Sequence, residues 1–237
     1  MTPEEIECAF VDLANARKGI QRPAAERLAA AVRDEPSLRA RLAALLSSPD
    51  ARSRWGAAYA LAQVERAPLD AMPVLLDALG SSDGDVRWAA ARLVTRAARD
   101  VPRLAEELRR LVTASSPLQR KMALYCLRDT ADVIALDREI VARALADVDP
   151  AVRLAAMAVM LVLVPRTAET ADSIAPLVDD GDAGVRRAAA ATLGQLGVPT
   201  PMVNERLTRA SVSGDPTLER AARQALSRLA AASAADR

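Results

Sequence analysis

An alanine returns every 33 residues from one end of the chain to the other, at Ala24, Ala57, Ala90, Ala123, Ala156, Ala189 and Ala222. The apolar and polar positions around it return with it. Position zero is set at Ile20, Ser53, Val86, Gln119, Val152, Val185 and Leu218, which places the alanine at +4. Position +8 then reads Leu28, Leu61, Val94, Leu127, Met160, Leu193 and Leu226. Positions 0, +4, +8 and +11 share one side of a 3.6-residue helix, so each unit is predicted to hold a helix with a single apolar stripe. A small residue kept at +4 marks the tightest contact, where a longer side chain would push neighbouring helices apart. A second stripe runs upstream. Position −11 carries Ala9, Leu42, Leu75, Leu108, Val141, Ile174 and Leu207, and −7 carries Leu13, Leu46, Leu79, Val112, Leu145, Val178 and Ser211. It predicts a second helix, placed before the first in every unit.

The polar positions between the stripes mark where the helices begin. Position −3 is Asp50, Asp83, Ser116, Asp149, Asp182 and Asp215, residues whose side-chain oxygens accept the orphan N–H groups of a first helical turn. Pro117, Pro150 and Pro216 follow at the first helical position, where proline costs least. Arg17 breaks the rule in the first unit. Pro3, Pro36, Pro102 and Pro201 mark starts of the upstream helices, and Thr2 with Glu5 has the spacing of a capping box.

A unit copied seven times means stacked neighbours that supply each other's core. The expected architecture is an all-α solenoid of seven 33-residue helix pairs. It forms a single domain over residues 2–233, in repeats 2–34, 35–67, 68–100, 101–133, 134–166, 167–199 and 200–233, with a tail at 234–237. Composition agrees: 51% of residues are hydrophobic but only 2% are aromatic, which suits closely packed Ala- and Leu-rich helices and not a sheet. Cys8 and Cys126 lie more than three units apart, roughly 30 Å at the usual spacing of packed helices. That is too far for a disulfide, so both are expected as reduced core residues. The apolar run Leu154–Val164 is too short to span a bilayer. No apolar leader opens the sequence, and a cytoplasmic, non-membrane protein is expected.

The motif Asp-Pro-x-Val-Arg-x-x-Ala, as in Asp149-Pro150-Ala151-Val152-Arg153-Leu154-Ala155-Ala156, resembles the HEAT repeat. The unit length is similar to that of short bacterial HEAT-like repeats, also found in phycobilisome lyases. The resemblance covers nearly the whole chain. It implies a right-handed superhelix whose second helices line the concave side, and a protein that binds macromolecules there.

Positions +2, +6, +9 and +13 lie opposite the stripe of the second helix. Four of the five aromatic residues fall there: Trp55, Tyr59, Trp88 and Tyr125. Exposed Trp and Tyr are enriched at interaction hot spots. The same columns hold Arg22, Arg33, Arg66, Arg92, Arg99, Lys121, Arg128, Arg187 and Arg220 against Glu26 and Asp132, in a chain of net charge +1. Acids gather instead at −13 of the upstream helix: Glu7, Glu106, Glu139, Asp172 and Glu205. A basic, aromatic face is therefore expected, with Trp55, Tyr59, Arg66, Trp88, Arg92, Arg99, Lys121, Tyr125 and Arg128 as its binding residues. A packing role for the two tryptophans, laid flat on neighbouring helix ends, is the competing reading. The column Arg54, Arg87, Arg120, Arg153 and Arg186 at +1 is read as structural, each arginine bonding an aspartate of the next repeat.

The chain has no histidine, which excludes Ser-His-Asp and Cys-His nucleophiles and His-ligated metals. No Gly-rich loop follows a strand. Asp179-Asp180-Gly181-Asp182 resembles part of a calcium loop but falls on a turn and lacks the closing Glu. No cofactor and no catalysis are expected. The leading expectation is a scaffold that binds an acidic or amphipathic protein segment. Nucleic-acid binding in the manner of HEAT-like DNA glycosylases is an alternative, without a Trp-flanked catalytic Asp; a bilin lyase-like chaperone is another. The fifth unit, apolar on nearly every side, suggests a contact with a partner or a second copy.

Overall fold

The computed structural model describes residues 1–130 and 138–235. Among them fourteen α-helices follow one another in seven pairs: α1 (Pro3–Asp12) and α2 (Lys18–Ala31), α3 (Ser37–Leu45) and α4 (Ala51–Val64), α5 (Met72–Ala78) and α6 (Gly84–Asp100), α7 (Arg103–Leu111) and α8 (Pro117–Asp129), α9 (Arg138–Leu145) and α10 (Pro150–Leu163), α11 (Ala168–Ile174) and α12 (Ala183–Leu196), α13 (Pro201–Ala210) and α14 (Pro216–Ala235). A 3₁₀ turn over Ala175–Asp179 extends α11. The fold is an α-solenoid. Its helices group into two compact units, Met1–Leu111 with α1–α7 and Val112–Arg237 with α8–α14.

The sequence periodicity is the packing. All seven alanines of the +4 column are 0% exposed, and all seven residues at −11 are equally sealed. Each N-cap forms as its residue type dictates. Asp50 accepts from Ser53 N, Asp83 from Asp85 N and Val86 N, Ser116 from Gln119 N, Asp149 from Ala151 N, Asp182 from Val185 N and Asp215 from Leu218 N. Arg17 makes no side-chain cap, and Thr2 with Glu5 closes the capping box.

The +1 arginines fasten the turns. Arg54, Arg120, Arg153 and Arg186 each donate from Nη1 to the carbonyls six and five residues back, and Arg87 does the same. In the second unit the same side chains also reach the next repeat. Arg120 grips Asp147 at 2.7 and 2.8 Å, Arg153 grips Asp180 at 2.7 Å, and Arg186 lies 3.7 Å from Asp215. Asp147 and Asp180 are not N-caps but stand two residues before them, each also accepting the N-cap amide. Asp180 is thereby committed to this ladder, Asp182 to its cap, and Asp179 to Arg206 and Arg209. The calcium-like run is a turn held by its own cap and by arginines of the repeats before and after it.

Second helices pack directly on one another as α2 on α4, α8 on α10, α10 on α12 and α12 on α14. Small residues allow this. A Cβ on Gly194 would lie 2.8 Å from the Ala225 Cα of α14; Gly56 of α4 instead lets the end of α1 approach, where a Cβ would lie 2.6 Å from the Leu13 carbonyl oxygen. Helix α6 is different, resting chiefly on α5 and α7 and hardly on α4. Leu93 stands on α6 where α4 and α14 carry Ala60 and Ala225, and it lines the gap between α4 and α6.

One expectation about the core is corrected. Cys126 is buried but Cys8 is exposed. Cys8 precedes the inward Ala9 by one residue, a step of about 100° that carries it off the buried side. No disulfide forms among the described residues. Helix α10 is partly covered by α8, α9 and α12; Leu154, Ala158 and Leu161 are half-buried and Val162 is exposed. Among the described residues no helix is long and apolar enough to cross a membrane.

Candidate interaction site

The gap between α4 and α6 is a cleft of about 350 Å³ in the first unit. Tyr59 and Gln63 line it from α4, Arg22 reaches it from α2, and Asp85, Trp88, Ala89, Arg92, Leu93 and Arg96 line it from α6. Its lining combines three arginines and two aromatic rings with Gln63, Asp85 and the apolar Ala89 and Leu93. Trp88 is 48% exposed. Arg22 and Arg92 form no ion pair among the described residues. Arg96 is tied down instead: Nη2 donates to the Ala62 carbonyl of α4, and its Nε is buried without an acceptor.

One edge of the cleft is bound up by a cation from the first repeat. Lys18 Nζ lies 2.8 Å from Asp83 Oδ1 and 2.6 Å from Asp85 Oδ2. The hydrogen bonds to Asp83 and Asp85 raise the Lys18 ammonium above its ordinary value. Those from Lys18 and from the amides of Val86 and Asp85 hold the Asp83 carboxyl below its own.

The expected site residues divide. Tyr59, Trp88 and Arg92 meet in the cleft. Trp55 does not: it is 8% exposed, and its ring lies tilted at 45° to that of Tyr59, 5.8 Å between centroids. It is a core residue on α4, the helix that packs on α2. Trp88, at the same position of α6, is left open because α6 stands off α4. Arg66 is exposed but neutralised, with Nε 2.7 Å from Asp100 Oδ2. Arg99 is exposed, outside the cleft lining. In the second unit Lys121 and Tyr125 are half-buried on α8. Arg128 lies 5.0 Å from the Tyr125 ring centroid and pairs with Asp129 at 2.7 Å, so it adds less free charge than expected. Asp132 falls outside the described residues.

Neither a family model nor a curated protein sequence matches the chain. Solved structures do. The archaeal HEAT-like repeats protein of Thermococcus onnurineus NA1 superposes with a TM-score of 0.52 at 14% identity, over 98% of this chain and 99% of that one. YibA of Escherichia coli gives 0.56 at 14% identity, over 97% and 92%. The fold is that of a HEAT-like repeat protein. Kap95p, in a structure with RanGDP, gives 0.60 at 15% identity over 94% of this chain but 35% of that chain, so this HEAT-like chain matches only a part of it.

Several residues of the HEAT-like cleft were not legible as site residues. Gln63 and Arg96 sit at +10, outside the four outward columns, and Asp85 sits at −1. Lys18 lies 65 residues from Asp83, about two repeats, beyond any spacing rule for a single helix. The Arg66–Asp100 pair did have a signal. Its 34-residue separation recurs in Arg41–Glu7 and in the Arg96–Ala62 carbonyl bond, one period plus one residue. A search for acids at that offset finds the cations that a neighbour neutralises.

Proposed function

We propose that the protein is a non-catalytic scaffold that binds an acidic or amphipathic protein segment on the α2–α4–α6 face of its first unit. The observation that carries the reading is the cleft, in which Arg22 and Arg92 stand without ion pairs beside a half-exposed Trp88. Aromatic anchors flanked by arginine are the composition of interface hot spots. A guanidinium also matches a carboxylate with two parallel hydrogen bonds. Kap95p, whose fold this chain shares in part, binds RanGDP.

The charge pattern favours a protein segment over a nucleic acid. A phosphate backbone rewards an unbroken run of cations. Here Asp85 intrudes into the cleft, Asp100 neutralises Arg66, and Asp129 neutralises Arg128. What remains is a local pair of cations beside a ring, suited to one acidic residue with an apolar neighbour.

The test is calorimetric titration with an amphipathic Glu/Leu-rich peptide, repeated with Arg92→Glu and Trp88→Ala. Each variant is expected to weaken binding about tenfold with an unchanged melting temperature. Equal affinity in all three proteins overturns the reading. So does a preference for duplex DNA whose affinity falls steeply with added salt.

A further inference from the structure

We propose that Lys18 is a reserve cation of this cleft, held by Asp85 until the carboxylate of an acidic partner segment takes its place. The inference rests on the reading of the cleft given above and adds its regulation. Three observations carry it. Lys18 bonds Asp85 at 2.6 Å, and Asp85 lines the same cleft as Arg22, Trp88 and Arg92. The bond joins the first repeat to the third along the edge of the opening. The two acids that share Lys18 are not equivalent. Asp83 Oδ1 also accepts the Asp85 and Val86 amides and is fixed as the cap of α6. The Asp85 side chain is 67% exposed and donates nothing to helix capping. Asp85 is thus the exchangeable partner, an internal carboxylate set where a foreign one would arrive.

An exposed pair of this kind is weak, so a ligand carboxylate that also meets Arg22 or Arg92 can displace it. Displacement leaves Lys18 bound to the newcomer and Asp85 free to turn to solvent. Asp83 still holds Lys18, and the ligand carboxylate takes over the ammonium contact that Asp85 occupied in the free protein. Selectivity follows, because a neutral segment cannot repay the broken Lys18–Asp85 bond.

A double-mutant cycle tests this by calorimetry, using the amphipathic Glu/Leu-rich peptide and four proteins: the parent, Asp85→Asn, Lys18→Gln and the double variant. If Asp85 holds Lys18 in reserve, Asp85→Asn strengthens binding about two- to fivefold, and the gain disappears in the Lys18→Gln background. If Asp85 acts only by repelling the peptide, its removal helps as much or more once Lys18 no longer neutralises it, and the proposal is overturned. Binding that is unchanged by Asp85→Asn overturns the proposal while leaving the cleft reading intact. No binding by any of the four overturns both. Thermal melts of the four proteins show whether a change of affinity reflects a change of fold.

Discussion

Arg153 works on two repeats at once. It closes its own turn through the Asp147 and Val148 carbonyls and reaches Asp180 of the next unit, whose side chain is only 9% exposed. Removing the guanidinium leaves that carboxylate nearly buried and without its counter-charge. Arg153→Gln is therefore expected to cost on the order of 3 kcal/mol in urea denaturation. Arg186→Gln, whose partner Asp215 lies 3.7 Å away and is more exposed, is expected to cost about 1 kcal/mol. Equal losses would show that the turn carbonyls and not the cross-repeat ion pairs carry the ladder. The ends of the ladder use other chemistry for the same place. Gln21 donates to the Leu13 carbonyl at 2.6 Å, and Glu219 reverses the polarity by accepting from the Gly214 amide at 3.0 Å.

At the scale of the helix, close approach is set by what stands at the crossing. Gly194 lets α12 reach α14. Gly194→Ala places a methyl group within 2.8 Å of the Ala225 Cα, which backbone cannot yield. A loss of about 1–3 kcal/mol is expected, readable as a lowered urea midpoint; an unchanged midpoint would mean that α14 can slide. Where α6 hardly meets α4, a cleft opens instead. This contrast also explains what the sequence made legible. The alanine column, the N-caps and the +1 arginines depend on one unit and its immediate copy, so a 33-residue period exposes them. Whether +2 is sealed or exposed depends on the neighbours each second helix meets, which differ between α4 and α6. Trp55 and Trp88 therefore share a register and not a fate. The Lys18 contacts needed a third repeat to be in view.

For the molecule as a whole, acid sensitivity follows from the cross-repeat carboxylates. Burial pushes the Asp147 and Asp180 carboxyls up. Their arginine hydrogen bonds, with the amides of Asp149 and Asp182, outweigh it and hold both below the ordinary value of 3.8. Groups depressed in this way stabilise the folded chain fully above their unfolded pKa and lose that contribution as pH falls through the folded one. Stability is expected to be flat above about pH 5 and to fall below about pH 4. The deficit of Arg153→Gln should shrink over the same range, because burial without the arginine favours a protonated Asp180. Melting curves from pH 7 to about pH 3 check both; a constant deficit would assign Arg153's contribution to its carbonyl bonds alone. The arginine that shuts its own turn while holding the aspartate ahead has one more consequence. Two successive junctions in the second unit, Arg120–Asp147 and Arg153–Asp180, are closed by the same grip, so neither depends on which copy precedes it. Such a protein can grow or shrink by duplication or loss of whole segments, and its reach can drift over generations without any joint having to be reinvented.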